Sequence, residues 1–178
     1  KCCIGEIEER NTAFSLLGKK PKLVIDIISL MTLHHINAGD IIVKAFGKLL
    51  IAQSTIGLLH NMMREYKGLY SRGYMGIAKE GDKFIRREVS TESIERVIER
   101  FENVMEWTEK NCEVMPVTAA LNLKVDRRQK LEEAVGQSFL DTILIASEPG
   151  HLLYSDDERL RSFAKGEFNI SGVWTQVV

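Results

Sequence analysis

A chain of 178 residues that is 44% hydrophobic and 28% charged has ordinary globular composition and is long enough for one well-buried core. Its formal net charge of −1 carries no global basic signal for nucleic acid, although carboxylates gathered in one pocket can mask a basic rim elsewhere. Apolar stretches such as LVIDIISLM fall short of the roughly 18 residues that cross a bilayer, and Cys2, Cys3 and Cys112 offer neither zinc spacing nor an even-numbered disulfide framework, so a cytoplasmic protein with no membrane span and reduced thiols is expected.

Residues 6–18 predict a short amphipathic helix stopped by Gly18 and Pro21, which makes 1–21 an N-terminal helix and linker ahead of a domain over 22–178. LVID reads as a buried strand ending in a polar switch, the pattern of a central parallel strand and its C-terminal loop. IISLMTLHHI and AGDIIVKAF predict two short helices, and Gly47 closes the second before KLLIAQS, a second strand. A helix from Ser54 to Tyr66 follows, capped by Ser54 or Thr55. The alternation in YSRGYMGIAKEGDKFIRREV about Glu80-Gly81-Asp82 predicts a β-hairpin inserted at about 69–90, which with the next helix makes an insertion of about 69–111. That helix, STESIERVIERFENVMEWTEK, has a Ser90 or Thr91 cap and places Ile94, Val97, Ile98, Phe101, Val104 and Met105 at helical spacing. CEVMPV predicts a short strand, LKVDRRQ a loop, and about Gln129 to Ser147 one helix; HLLYS is a strand, DDERLRSFAKG a helix ended near Gly166, and ISGVW a last strand.

Short apolar strands alternating with helices imply a parallel sheet covered on both faces, whose functional groups gather beyond the carboxyl ends of the strands. Asp26 ends the first strand, Asp156 and Asp157 follow HLLYS, and Asp141 lies inside SFLDTILIA just before it. Burying an unpaired carboxylate costs several kcal/mol. A hydrated divalent cation serves such acids together, because Mg²⁺ takes hard oxygen ligands and keeps several waters. The plainer roles are a helix cap for Asp26, a buried hydrogen bond for Asp141, and a dipole-favoured acidic first turn for Asp156 and Asp157. His34, His35, His60 and His151 read as surface histidines.

LVID near the start, DTILIAS, LLYSDDERLRSFA and the terminal ISGVWT resemble the PIN domain family of metal-dependent ribonucleases, over about Lys22 to Val178 and most specifically from Gly136 on. The resemblance implies a three-layer α/β/α sandwich on a parallel sheet, three or four acids holding Mg²⁺ or Mn²⁺ at the strand ends, and hydrolysis of RNA phosphodiester bonds. It carries Asp26, Asp141 and Asp157 over as the catalytic acids, the last by its D-x-x-L spacing to Leu160, with Asp156 as a further metal ligand. Ser155 matches the family's Ser or Thr beside the last acid and would orient a ligand or a phosphate; Thr175, after the last strand, shares that reading. The chain departs from the family at Gly57, where a second acid is expected, and at Ile27 and Ile28, which precede Ser29 where a small hydroxyl residue often follows the first acid.

Two functions compete: a divalent-metal-dependent endoribonuclease, and a degenerate module that binds RNA or protein without cutting, which Gly57 favours. A flavodoxin-like phosphate-binding domain would also put acids at strand ends, but phosphate-loop glycines are missing. In the hairpin Arg72, Lys79, Lys83, Arg86 and Arg87 lie near Tyr70, Tyr74 and Phe84, a mixture suited to phosphate contacts and base stacking. A solvated or protein-contacting hairpin is the plainer reading. The expected partners are RNA, a protein or the flanking domains of a longer chain, and a second copy in a homodimer.

Overall fold

Among the described residues, seven strands and their covering helices follow from where the apolar runs break. The computed structural model describes residues 7–72, 74–81 and 83–178, and the side chains within them except at 71, 72, 74 and 86–89. Helix α1 (Ile7–Leu17) leads into β1 (Lys22–Ile25), α2 (Ile27–His35), α3 (Gly39–Phe46), β2 (Leu49–Ala52) and α4 (Gln53–Arg72). The hairpin β3 (Tyr74–Glu80) and β4 (Lys83–Val89) precedes α5 (Thr91–Asn111) and β5 (Cys112–Met115). A 3-10 turn (Thr118–Asn122), α6 (Val125–Val135), α7 (Gln137–Ala146), β6 (His151–Tyr154), α8 (Glu158–Phe168) and β7 (Gly172–Val173) complete the chain.

The strands outside the hairpin form one parallel sheet in the order β5-β2-β1-β6-β7. Successive strand residues face opposite sides, and the burial follows that period. Leu23, Ile25, Leu49, Ile51, Leu152 and Tyr154 pack with Leu30, Leu33, Leu59 and Phe101 of α2, α4 and α5 on one face. Val24, Leu50, Ala52 and Leu153 pack with Ile143, Ile145, Leu160 and Ala164 of α7 and α8 on the other. This is the expected α/β/α sandwich. Truncating a buried leucine such as Leu50 in it costs roughly 2–5 kcal/mol. Because the order turns back between β1 and β6, the crevice beyond their carboxyl ends is the topological switch point, where open α/β sheets bind ligands.

Three readings differ from the structure: LKVDRRQ, expected as a loop, contains the start of α6 at Val125, and two helices have other bounds. The single helix of about Gln129 to Ser147 is two, α6 and α7, because Gly136 at φ +86° adopts a backbone that ends one helix and re-aims the next. Helix α4 continues past Tyr66 to Arg72, since its second half is paired with α5: Tyr66 stacks on Phe101 with ring centres 5.6 Å apart, and Lys67 and Tyr70 bond Glu102 and Glu95 at 2.7 and 2.9 Å. The hairpin forms as expected, turning at Gly81 with φ +62°. Cys2, Cys3, Asp82 and the side chains of Arg72, Tyr74, Arg86 and Arg87 lie outside the described residues.

Candidate active site

Strand β1 stops at Ile25 and hands the chain to Asp26, whose extended backbone (φ −86°, ψ 171°) makes it the N-cap of α2. Its Oδ1 accepts from the Ser29 amide at 2.7 Å and its Oδ2 from the Ser155 hydroxyl at 2.5 Å. The side chain is wholly buried, and that desolvation pushes its pKa from 3.8 up to about 6. The hydrogen bonds from Ser155 and Ser29 oppose the rise, and the charge of Asp156 adds to it.

On the other side of the switch point, β6 ends at Tyr154 and the next three residues build the facing wall. Ser155 clamps Asp26 while its oxygen accepts from the Asp157 amide at 3.1 Å. Asp156 accepts from the Thr175 amide at 2.8 Å and the Thr175 hydroxyl at 2.7 Å, and its own amide donates to Ser29 Oγ at 2.7 Å. Since the Thr175 hydroxyl has one proton and gives it to Asp156, the Tyr154 hydroxyl donates to Thr175 at 2.9 Å. Burial first, then the charges of Asp156 and Asp26, push the Tyr154 phenol up, which keeps it a donor. Asp157 caps α8, accepting from the Arg159 and Leu160 amides at 2.8 and 3.4 Å.

Asp141 sits on the buried face of α7, with Oδ2 accepting from the Ser54 hydroxyl at 2.6 Å. Its Oδ1 is buried without a hydrogen-bond partner; the Arg128 guanidinium, held by Glu132 at 2.7 Å, stands 3.8 Å away and gives charge but no bond. The starts of α4 and α7 are also joined by Thr55 and Ser138, whose hydroxyls are 2.8 Å apart. Asp141 opens on a cleft of ≈ 620 Å³ whose wall includes Gly57.

The sheet brings these groups to one edge. Val24 pairs with Leu50, so Asp26 lies level with Ala52, about 5 Å across on the neighbouring strand, and Ser54, the partner of Asp141, follows two residues on. Asp26, Ser29, Ser155, Asp156 and Thr175 form one hydrogen-bonded network, whereas Asp141 is held separately through Ser54 and Arg128. Among the described residues no group of three or more His, Cys, Asp or Glu side chains is placed to hold a metal ion. The donor set fits a hydrated Mg²⁺ or Mn²⁺ of the kind held by one or two carboxylates and water: hard oxygens throughout, an orphaned buried oxygen on Asp141, and a buried Asp26 whose ionisation wants a positive charge.

Sequence reasoning noted Ser29 only as a departure and Ser54 only as a cap, and it did not single out Arg128, Tyr154 or Arg161. Arg161 is buried, bonds Glu9 at 3.0 Å and the Ser155 carbonyl at 2.9 Å, and lies 4.5 Å over the Trp174 ring, so it ties α1 to the back of the site. The one available signal was D-x-x-S, the spacing at which a capping aspartate meets the third amide of a helix. His151 is committed to the Ile145 carbonyl at 2.8 Å. Lys79 and Lys83 are exposed on the hairpin, which follows the end of α4, 11 residues or about 17 Å beyond Asn61 of the cleft wall.

A model of the PIN domain associated with the TPR-GreAB-C-PIN system matches residues 24–166. No significant match was found among curated proteins or among solved structures. Among the described residues no helix is long and apolar enough to cross a membrane.

Proposed function

The chain belongs to the PIN domain family, and we propose that it is a divalent-metal-dependent endoribonuclease cutting RNA phosphodiester bonds at the edge held by Asp26 and Asp141. The observation that carries this reading is Asp141, which lines a cleft and whose buried Oδ1 has no hydrogen-bond donor, only the Arg128 charge 3.8 Å away. Mg²⁺ or Mn²⁺, when bound there, supplies an activated water and neutralises charge on the phosphate. The chain supplies the rest. Ser54 and Ser155 fix the two carboxylates by short hydrogen bonds, and Asp26 holds its proton up to about pH 6, so below that pH cation uptake displaces a proton and binding weakens. Asp156, whose charge reaches Asp26, completes the acidic rim with Thr175 orienting it, and Asp157 sets the first turn of α8 behind it. The test is cleavage of end-labelled single-stranded RNA with Mn²⁺, with chelator, and by Asp141→Asn. Cleavage with Mn²⁺ alone supports the reading; cleavage in chelator, or undiminished in the variant, overturns it.

A second reading, a non-cleaving module that binds a protein, is favoured by Gly57 and by the exposed apolar Met75, Ile77, Phe84 and Ile85 of the hairpin. The family's association with TPR and GreAB-C modules supports partners of those kinds, with a second copy of this chain as the alternative. Lys79 and Lys83 on the same hairpin serve RNA contact in the first reading. Cys112, free and buried with its thiol pushed up to about 12 by that burial, suits the cytoplasm.

A further inference from the structure

Gly57 is a glycine that packing does not require. It lies in the interior of a 20-residue helix, where glycine weakens the structure relative to other residues, and a Cβ built on it meets nothing within 4 Å. Gln53, Gly57 and Asn61 are spaced by four residues and therefore share one face of α4, and all three line the cleft of Asp141. The missing side chain thus leaves a notch between two amides. Leu58 and Phe139 also line a second, mostly apolar cleft of ≈ 450 Å³ together with Ile27 and Ile28, the residues after Asp26, and with Arg100.

The chemistry of this wall selects its ligand. Asp141 is the only charged side chain among the described residues lining the cleft, and the cation nearest it, Arg128, stands 3.8 Å from Asp141 and is held by Glu132, so its charge is already shared between two carboxylates. What the lining offers is the partly buried Phe139 ring, the apolar Leu58 side chain, and the carboxamides of Gln53, Asn61 and Gln137, each of which donates and accepts in one plane. Those are the contacts that recognise an unstacked nucleobase. We propose that the Gly57 notch, between Gln53 and Asn61 and against Phe139, is a nucleobase pocket that seats one base of single-stranded RNA and so positions the neighbouring phosphate over the acidic edge. The role of that phosphate rests on the ribonuclease reading; the seating of the base does not need cleavage.

The experiment is fluorescence anisotropy with a short labelled single-stranded RNA and an abasic strand of the same length and phosphate count, in Ca²⁺. The RNA is expected to bind about tenfold more tightly than the abasic strand. Gly57→Leu, which fills the notch, removes most of that difference, and Asn61→Ala, at an exposed position where folding is not at stake, reduces it. Equal binding of the two strands, binding of neither, or full discrimination retained by both variants overturns the pocket. Base-dependent binding without cleavage in Mn²⁺ keeps the pocket and removes the nuclease, whereas cleavage without base dependence does the reverse.

Discussion

Replacing Asp26 by Asn is expected to stabilise the metal-free protein at neutral pH. The carboxyl is fully buried and titrates at about 6 rather than 3.8. Between those values the native state holds a proton that the unfolded chain has lost, so stability falls as pH rises through the window, and the whole loss is present above about 6. A displacement from 3.8 to about 6, at roughly 1.4 kcal/mol per pH unit, is worth about 3 kcal/mol. Asparagine mimics the protonated acid, keeps its volume and still accepts from the Ser29 amide. Urea unfolding in chelator should therefore find the two proteins similar near pH 4 and the variant more stable by about 3 kcal/mol near pH 8. Mn²⁺ at about a hundred times its dissociation constant should then return about 2.7 kcal/mol to the parent and much less to the variant. A variant less stable than the parent at pH 8, or a gap equal at both pH values, would refute the reasoning.

Asp141→Asn is expected to lower the RNA cleavage rate at least roughly a hundredfold in Mn²⁺, about 3 kcal/mol of lost stabilisation, read by single-turnover assay. Gly57→Asp should tighten Mn²⁺ binding in calorimetry while leaving the unfolding midpoint level or slightly raised, because its side chain enters open space and aspartate disfavours a helix less than glycine. Arg161→Ala should cost roughly 1–3 kcal/mol in urea unfolding, since the buried Ser155 carbonyl loses its donor, while Glu9, partly exposed, is left to water. Gly39→Ala should cost roughly 1–3 kcal/mol, measured as a fall in melting temperature, because the new Cβ would lie 2.6 Å from the Trp107 ring.

The parallel sheet was legible because runs such as LVI and LLIA are apolar in every position, which only a strand covered on both faces requires. Asp26 was legible for the same reason, as the polar switch ending such a run. The break at Gly136 was hidden because apolar residues recur at helical spacing on both sides of it. Ser54 and Asp141 are 87 residues apart and meet only because α4 and α7 both pack beside β2, a proximity no local pattern encodes. The D-x-x-L spacing that singled out Asp157 is also the spacing of an N-cap to the third helical amide, and the structure shows that contact at 3.4 Å, while Asp156 is the acid whose charge reaches Asp26. Local spacing thus located the acidic turn but did not separate capping from charge placement within it.

The central claim, that this sheet edge holds a divalent cation between Asp141 and Asp26, is tested most directly by anomalous diffraction from crystals soaked in Mn²⁺. The expected result is a manganese peak within coordination distance of Asp141 Oδ1 and within reach of Asp26, directly or through water, which vanishes in Asp141→Asn. A soaked crystal with no peak there, or with manganese bound only elsewhere on the surface, would contradict it.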